Sequence, residues 1–194
     1  MLRQKDDIGV DAPYSETNLT AGRSSVPERG QISCRSTDGG KDFPMAALFD
    51  LHCDTLTRNL YPPFERERER ETLDNPAFQL ALSKVPAGTK WVQCFAVFVP
   101  DEVRGDEAAV FFDRCAASFH RQAEAHQDRM ACCRSIGEME AALAAGKTAG
   151  LLTVEGGAAL AGKLGRVRTL YDAGVRMMTI TWNGPNELAS GHDT

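Results

Sequence analysis

His52 and Asp54, two residues apart in DLHCDTL (50–56), are the first pair in this chain whose types and spacing could do chemistry. On an extended strand, residues two apart face the same side, about 7 Å from each other along the strand. An imidazole nitrogen and a carboxylate oxygen can then converge on one divalent cation, while Cys53 faces the other way. Glu155 is a third candidate donor. It closes the run GLLTVE (150–155) and precedes Gly156-Gly157. A carboxylate placed between two cations can give one oxygen to each, and two cations about 3.5–4 Å apart can bind one hydroxide and polarise a carbonyl. The glycines that follow permit a tight turn and a close backbone approach. Each residue also has a plainer use: Asp54 can cap a turn, His52 can sit hydrogen-bonded in a core, and Glu155 can cap the next helix. Trp182 can pack a barrel mouth, and Asn183-Gly184-Pro185 is turn chemistry. His120 and His126 read as surface residues of a helix, and His192 lies in the last loop with no partner in view.

Donors at the ends of apolar runs require those runs to be strands. Four are predicted: AALFDLHC (46–53), KWVQCFAVFV (90–99), GLLTVE (150–155) and VRMMTITW (175–182). Between the second and third, residues 103 to about 131 carry Phe112, Cys115, Ala116, Phe119 and Ala123 at helical spacing. Ser135-Ile136-Gly137-Glu138 reads as a capping box opening a short helix, with Met139 and Leu143 inward and Gly146 as its stop. Leu160, Leu164, Val167 and Tyr171 mark a further helix that Gly174 ends. Strands apolar on both faces, alternating with helices, predict a parallel α/β fold, either a doubly wound sheet or a (β/α)8 barrel. No GxGxxG or GxxxxGK[ST] follows a strand, so the nucleotide-binding versions have no support. In a barrel the C-terminal strand ends build the active site. His52, Asp54, Glu155, Trp182 and Asn183 all fall there.

The 194 residues are enough for one ordinary domain and its core. A net charge of −5 argues against a nucleic-acid partner, which would need a basic face. No apolar run reaches the length of a membrane span. The N-terminus, MLRQKDDIGVDAPYSETN, has no apolar core and does not read as a secretory signal, so a reducing, cytoplasmic setting is expected. The six cysteines show no paired metal spacing and read as small core residues rather than a disulfide framework. Residues 1–44 lack a sustained apolar period and are expected to be a disordered tail, with the folded domain over 45–194. The charge run ERERERE (65–71) reads as a solvated loop or helix face.

FDLHCDTL at the first strand, LLTVEGG at the third and LYDAGVRMMTITWNGPNELASG at the fourth together resemble the membrane dipeptidase family, also called renal dipeptidase or peptidase family M19. The likeness covers about residues 46–194. Other amidohydrolases commonly open with HxH and bridge their metals with a carboxylated lysine, whereas this chain has HxD and a glutamate. The resemblance implies a (β/α)8 barrel of the TIM type and two zinc ions per complete site. His52 and Asp54 would be ligands of one zinc and Glu155 the bridge. It also implies hydrolysis of dipeptides, often with a D-residue at the C-terminal position, by attack of a metal-bound hydroxide. Trp182 stands where mammalian members carry a substrate-contacting histidine, which makes Trp182 and Asn183 candidate substrate-binding residues. The family's two further histidine ligands, its substrate-binding arginine and its proton-transferring acid come from later strands, and no residue here matches them. The chain therefore looks like about the first four β/α units of an incomplete barrel, expected to be inactive alone and, with two open edges, prone to pair as a homodimer. The alternatives are a non-catalytic half-barrel binding module, or another amidohydrolase acting on a lactone or phosphoester.

Overall fold

A computed structural model describes residues 47–60 and 72–193. The predicted tail 1–44 and the charge run 65–71 lie outside the described residues. The elements are β1 (Ala47–Asp50), α1 (Thr55–Leu60), β2 (Lys90–Phe98), α2 (Gly105–Ala125), β3 (Met130–Cys132), α3 (Ile136–Ala144), β4 (Thr148–Glu155), α4 (Arg166–Asp172) and β5 (Met177–Met178). All strand pairings are parallel. The four predicted strands stand side by side in chain order, β1-β2-β4-β5, as the first half of a (β/α)8-type barrel. β3 pairs with the beginning of β4, at Thr148–Gly150, on the edge whose far end takes β5 at Thr153–Val154.

The two faces of the sheet are packed differently. Leu152 and Val154 of β4 join Phe95 and Val97 of β2 in a cluster with Phe112, Cys115 and Phe119 of α2. Phe95, Phe112 and Phe119 are fully buried, each contributing about 1.5–3 kcal/mol of transfer free energy. Ala149 and Leu151, of opposite parity on β4, pack on the other face with Val92 and with Ala142, Met139 and Leu143 of α3. That second face is covered at the N-terminal ends of the strands. Toward their C-terminal ends it carries Thr153, Glu155 and Phe98, by alternation along the strands.

α3 starts as predicted. The Ser135 side chain accepts from the Glu138 amide at 3.2 Å. The Glu138 carboxylate reaches back one residue further than in the usual box, to the Arg134 amide. Gly146 and Gly174, at φ 72° and 102°, end α3 and α4 in the left-handed conformation that favours glycine.

Four expectations need correction. The helix expected to run to about 131 ends at Ala125, and β3 occupies 130–132. The fourth strand is two residues long rather than eight. Thr179 still donates to Val154 at 3.0 Å, but the Ile180 carbonyl then turns to the Gly157 amide at 2.8 Å and leaves the ladder. The helix after β4 is split into a 3-10 turn at Gly157–Leu160 and α4. Of its four marker residues only Leu160 is buried, while Leu164, Val167 and Tyr171 are exposed. Leu170 supplies the inward contact of α4 instead. Finally, β1 ends at Asp50 rather than at Cys53, and the reason bears on the site.

Candidate metal centre

Asp50 pairs with Gln93. Pairing resumes at Cys53, whose amide donates to Cys94 O at 3.1 Å and whose carbonyl accepts from the Ala96 amide at 2.9 Å, so that Cys53 stands opposite Phe95. Three steps along the first strand therefore match two along β2. This extra residue is a bulge. A regular strand continuing from Asp50 would have set His52 opposite Phe95, facing α2. The bulge turns it over. Cys53 packs against the helix-side core, and His52 and Asp54 take the opposite face, which is the face of Glu155. The bulge is braced by the Asp50 carboxylate, which accepts from the His52 amide at 3.1 Å.

Burial pushes the Cys53 thiol up to about 12, as suits a cysteine turned into the core. Glu155 closes β4. The next residue, Gly156, has φ 91°, and its amide donates to Thr179 Oγ1 at 3.0 Å. A Cβ on Gly157 would stand 2.9 Å from the Ile180 carbonyl and 2.5 Å from Leu188. The two glycines thus serve the turn and the close approach expected of them. Glu155 does not cap the 3-10 turn that follows, which has no side-chain cap.

The three predicted donors meet. His52 Nε2 lies 3.2 Å from Asp54 Oδ1 and 3.3 Å from Glu155 Oε2. One donor atom from each residue falls within 4.8 Å of the others, the only such trio of His, Cys, Asp or Glu among the described residues. Four ligands at about 2.0–2.2 Å around a tetrahedral ion sit roughly 3.4 Å apart. The two imidazole–carboxylate distances match that spacing. The donor set, one imidazole and two carboxylates, suits zinc and similar divalent ions. Partial burial pushes the Glu155 carboxyl above its ordinary range; His52 pulls it back and Asp54 pushes it further up. Two carboxylates converging on one point repel each other, and a cation placed between them removes that repulsion.

The remaining candidates divide. Trp182 stands at the mouth, its ring 4.8 Å from that of Phe98, edge to face, and 42% exposed. Asn183 is exposed and its carbonyl accepts from the Asp193 amide at 2.8 Å, which closes the terminal loop. His120 and His126 are half-buried rather than free on the surface. His120 Nε2 sits 2.8 Å from the Ala173 carbonyl, and His126 Nε2 lies 3.0 Å from Thr72 Oγ1. His192 lies beside Asp193, at 3.5 Å.

Beside the trio a cleft of about 510 Å³ is lined by Asp54, Thr57, Phe98 and Trp182, among others. The sequence reading missed Thr57 and Phe98. Only the position of Phe98 at a strand end could have pointed to it; that it stands opposite Glu155 is a matter of register.

The profile of the membrane dipeptidase family (peptidase family M19) matches residues 43–194. Among solved structures, the chain is similar to dipeptidase AC, a metallopeptidase of family M19, with 24% identity and a TM-score of 0.64, covering 73% of this chain and 44% of that one. It is similar in the same degree to a metallopeptidase from Rhodobacter sphaeroides bound to a phosphinate mimic of the dipeptide L-Ala-D-Ala, with 22% identity and a TM-score of 0.64 over 73% of this chain and 47% of that one. The chain spans less than half the length of either, and the part it spans has their barrel fold.

Proposed function

Because the chain belongs to the membrane dipeptidase family, peptidase family M19, we propose that it carries the N-terminal half of a zinc-dependent dipeptidase site. The observation that supports this most is the trio at the strand ends: His52 Nε2 between the carboxylates of Asp54 and Glu155, at 3.2 and 3.3 Å. His52 and Asp54 would hold one ion, and Glu155 would share its carboxylate between that ion and a second. A divalent cation there would polarise a peptide carbonyl and make water a stronger acid.

The chain's own residues supply position and shape. The bulge after Asp50 fixes where His52 points. Gly156 and Gly157 fix where β4 stops. Trp182 and Phe98 shield one side of the mouth. Three donors suffice for one catalytic zinc with an open position, but they leave a second ion with few protein ligands. Two complete sites would draw further histidines from β/α units beyond those described. Acceptance of a D-residue at the C-terminal position belongs to the same proposal.

Phe49 on β1 and Ile180 beyond β5 are more than half exposed. Among the described residues no strand pairs with the outer side of β1 or of β5, and these apolar groups lie on or beside those strands, which supports pairing of two copies as a homodimer.

The test is hydrolysis of a dipeptide panel, L,D pairs included, with zinc present. It should be run on protein isolated from its source cells and on the 194-residue chain produced alone. Turnover by the former and none by the latter is expected. Turnover of lactones or phosphoesters in place of dipeptides would contradict the substrate class. Robust turnover by the chain alone would contradict the half-site.

A further inference from the structure

The cleft beside the trio is built from three separate parts of the chain. Phe98 ends β2, Pro100, Asp101 and Glu102 begin the loop after it, and Trp182 follows β5; Asp54, Thr57 and Arg58 complete the lining. At about 510 Å³ it lies within the range of small-ligand sites.

Its aromatic wall is held rigidly. The buried Thr57 hydroxyl accepts from the Phe98 amide at 2.9 Å and lies 3.2 Å from the Phe98 carbonyl, to which it donates. One side chain thus clamps both backbone groups of the residue. On the other side, Asp101 accepts from the Gly184 amide at 3.0 Å and from the Arg104 guanidinium at 3.1 Å. Arg104 also donates to the Pro185 carbonyl at 2.9 Å. The loop carrying Trp182 is therefore tied to the loop that follows Phe98. The Asp101 charge is consumed in that tie, so the wall it supports is apolar: two rings in edge-to-face contact and a proline. An indole left 42% exposed on a fixed support is a preformed platform for another flat apolar group.

Asp54 belongs to both the trio and the cleft. A substrate with its reacting carbonyl at the trio has the cleft within one side chain's reach. Resting on the dipeptidase reading, we propose that the Phe98–Trp182 cleft is a side-chain subsite that selects a large flat apolar residue of the dipeptide over glycine or alanine. Thr57 acts in it as a positioning residue, through Phe98.

The cleft lies within the described residues, so the full 194-residue chain tests it directly, by NMR of the Trp182 indole N–H during titration with zinc and dipeptides. Phenylalanine-containing dipeptides should shift that resonance and bind about tenfold tighter than Ala-Ala, within the range a pocket gains from added apolar groups. Trp182→Ala and Thr57→Val should bring the ratio, read from the backbone amides around the cleft, below about threefold while zinc affinity stays unchanged. Zinc-dependent binding with no side-chain preference, or no binding of any dipeptide at millimolar concentration, would overturn the subsite; the first of these leaves the metal-site reading intact. Aromatic preference that persists without zinc and in His52→Ala would sustain the subsite and overturn its link to dipeptide cleavage.

Discussion

His52 Nε2 and Glu155 Oε2 lie 3.3 Å apart although their strands are not neighbours. β2 stands between β1 and β4. Two strand spacings set the backbones of β1 and β4 about 10 Å apart. The contact is made because a bulge turns His52 onto the face of Glu155 and because the two long side chains reach toward each other over β2. The site is a product of one extra residue in the first strand, not of the HxD spacing alone.

Asp50 should therefore matter to metal binding without being a ligand. Its carboxylate braces the bulge through the His52 amide. Asp50→Ala is expected to weaken zinc binding about tenfold, the scale of losing an outer-shell partner. Asp50→Asn, which keeps an acceptor oxygen, should restore most of it. Competition with a chromophoric chelator measures both.

The cap of α3 gives a stability prediction far from the site. Ser135→Ala removes the acceptor for the Glu138 amide and should cost about 1 kcal/mol, read from urea unfolding. Ser135→Asp should cost less than half of that.

Asp74 makes stability depend on acid. Burial opposes its charge, but the hydrogen bond from Ser83 and then the Arg129 guanidinium, 2.7 Å away, outweigh burial and hold its carboxyl below the ordinary range. A lowered folded-state pKa means stability that is present above the unfolded value, near 3.9, and lost as pH falls through the folded value. Asp74→Asn should destabilise the protein by about 1–2 kcal/mol at pH 7. The gap to the wild type should narrow below about pH 4, as followed by thermal unfolding at stepped pH.

Much of this could be read from the residues. The doubly apolar runs at 90–99 and 150–155 are β2 and β4 nearly to the residue, because burial on both faces leaves a continuous signal. Ser135, Gly146 and Gly174 mark helix ends for local reasons that tertiary structure leaves alone. The failures have physical causes too. β3 is three residues, one turn after a helix that no glycine or proline stops, so Met130 and Ala131 simply extend the apolar count. Val167 and Tyr171 keep helical spacing while facing outward and Leu164 precedes the helix, and spacing does not say which side of a helix is covered. The bulge is set by pairing with β2 and leaves no mark in DLHC itself. Thr57 is set against Phe98 only by the packing of α1 on β2, which neither segment encodes alone.

Cys53 should be inert in the folded chain. With its thiol pushed up to about 12 by burial, it stays protonated at the mildly alkaline pH of an alkylation reaction. Alkylation followed by peptide mass mapping should leave Cys53 unlabelled under native conditions and label it fully in urea. Rapid native labelling would mean that His52 and Asp54 are not held on the opposite face as described.

The most direct test of the metal site is a zinc titration of the 194-residue chain beside His52→Ala and Glu155→Gln, by calorimetry with metal content checked on the recovered protein. The trio predicts one strong zinc per chain. Each variant should lose more affinity than the roughly 10–100-fold that outer-shell changes cost, with its circular dichroism unchanged. Equal zinc affinity in the wild type and both variants would show that the three side chains meet for some reason other than a metal.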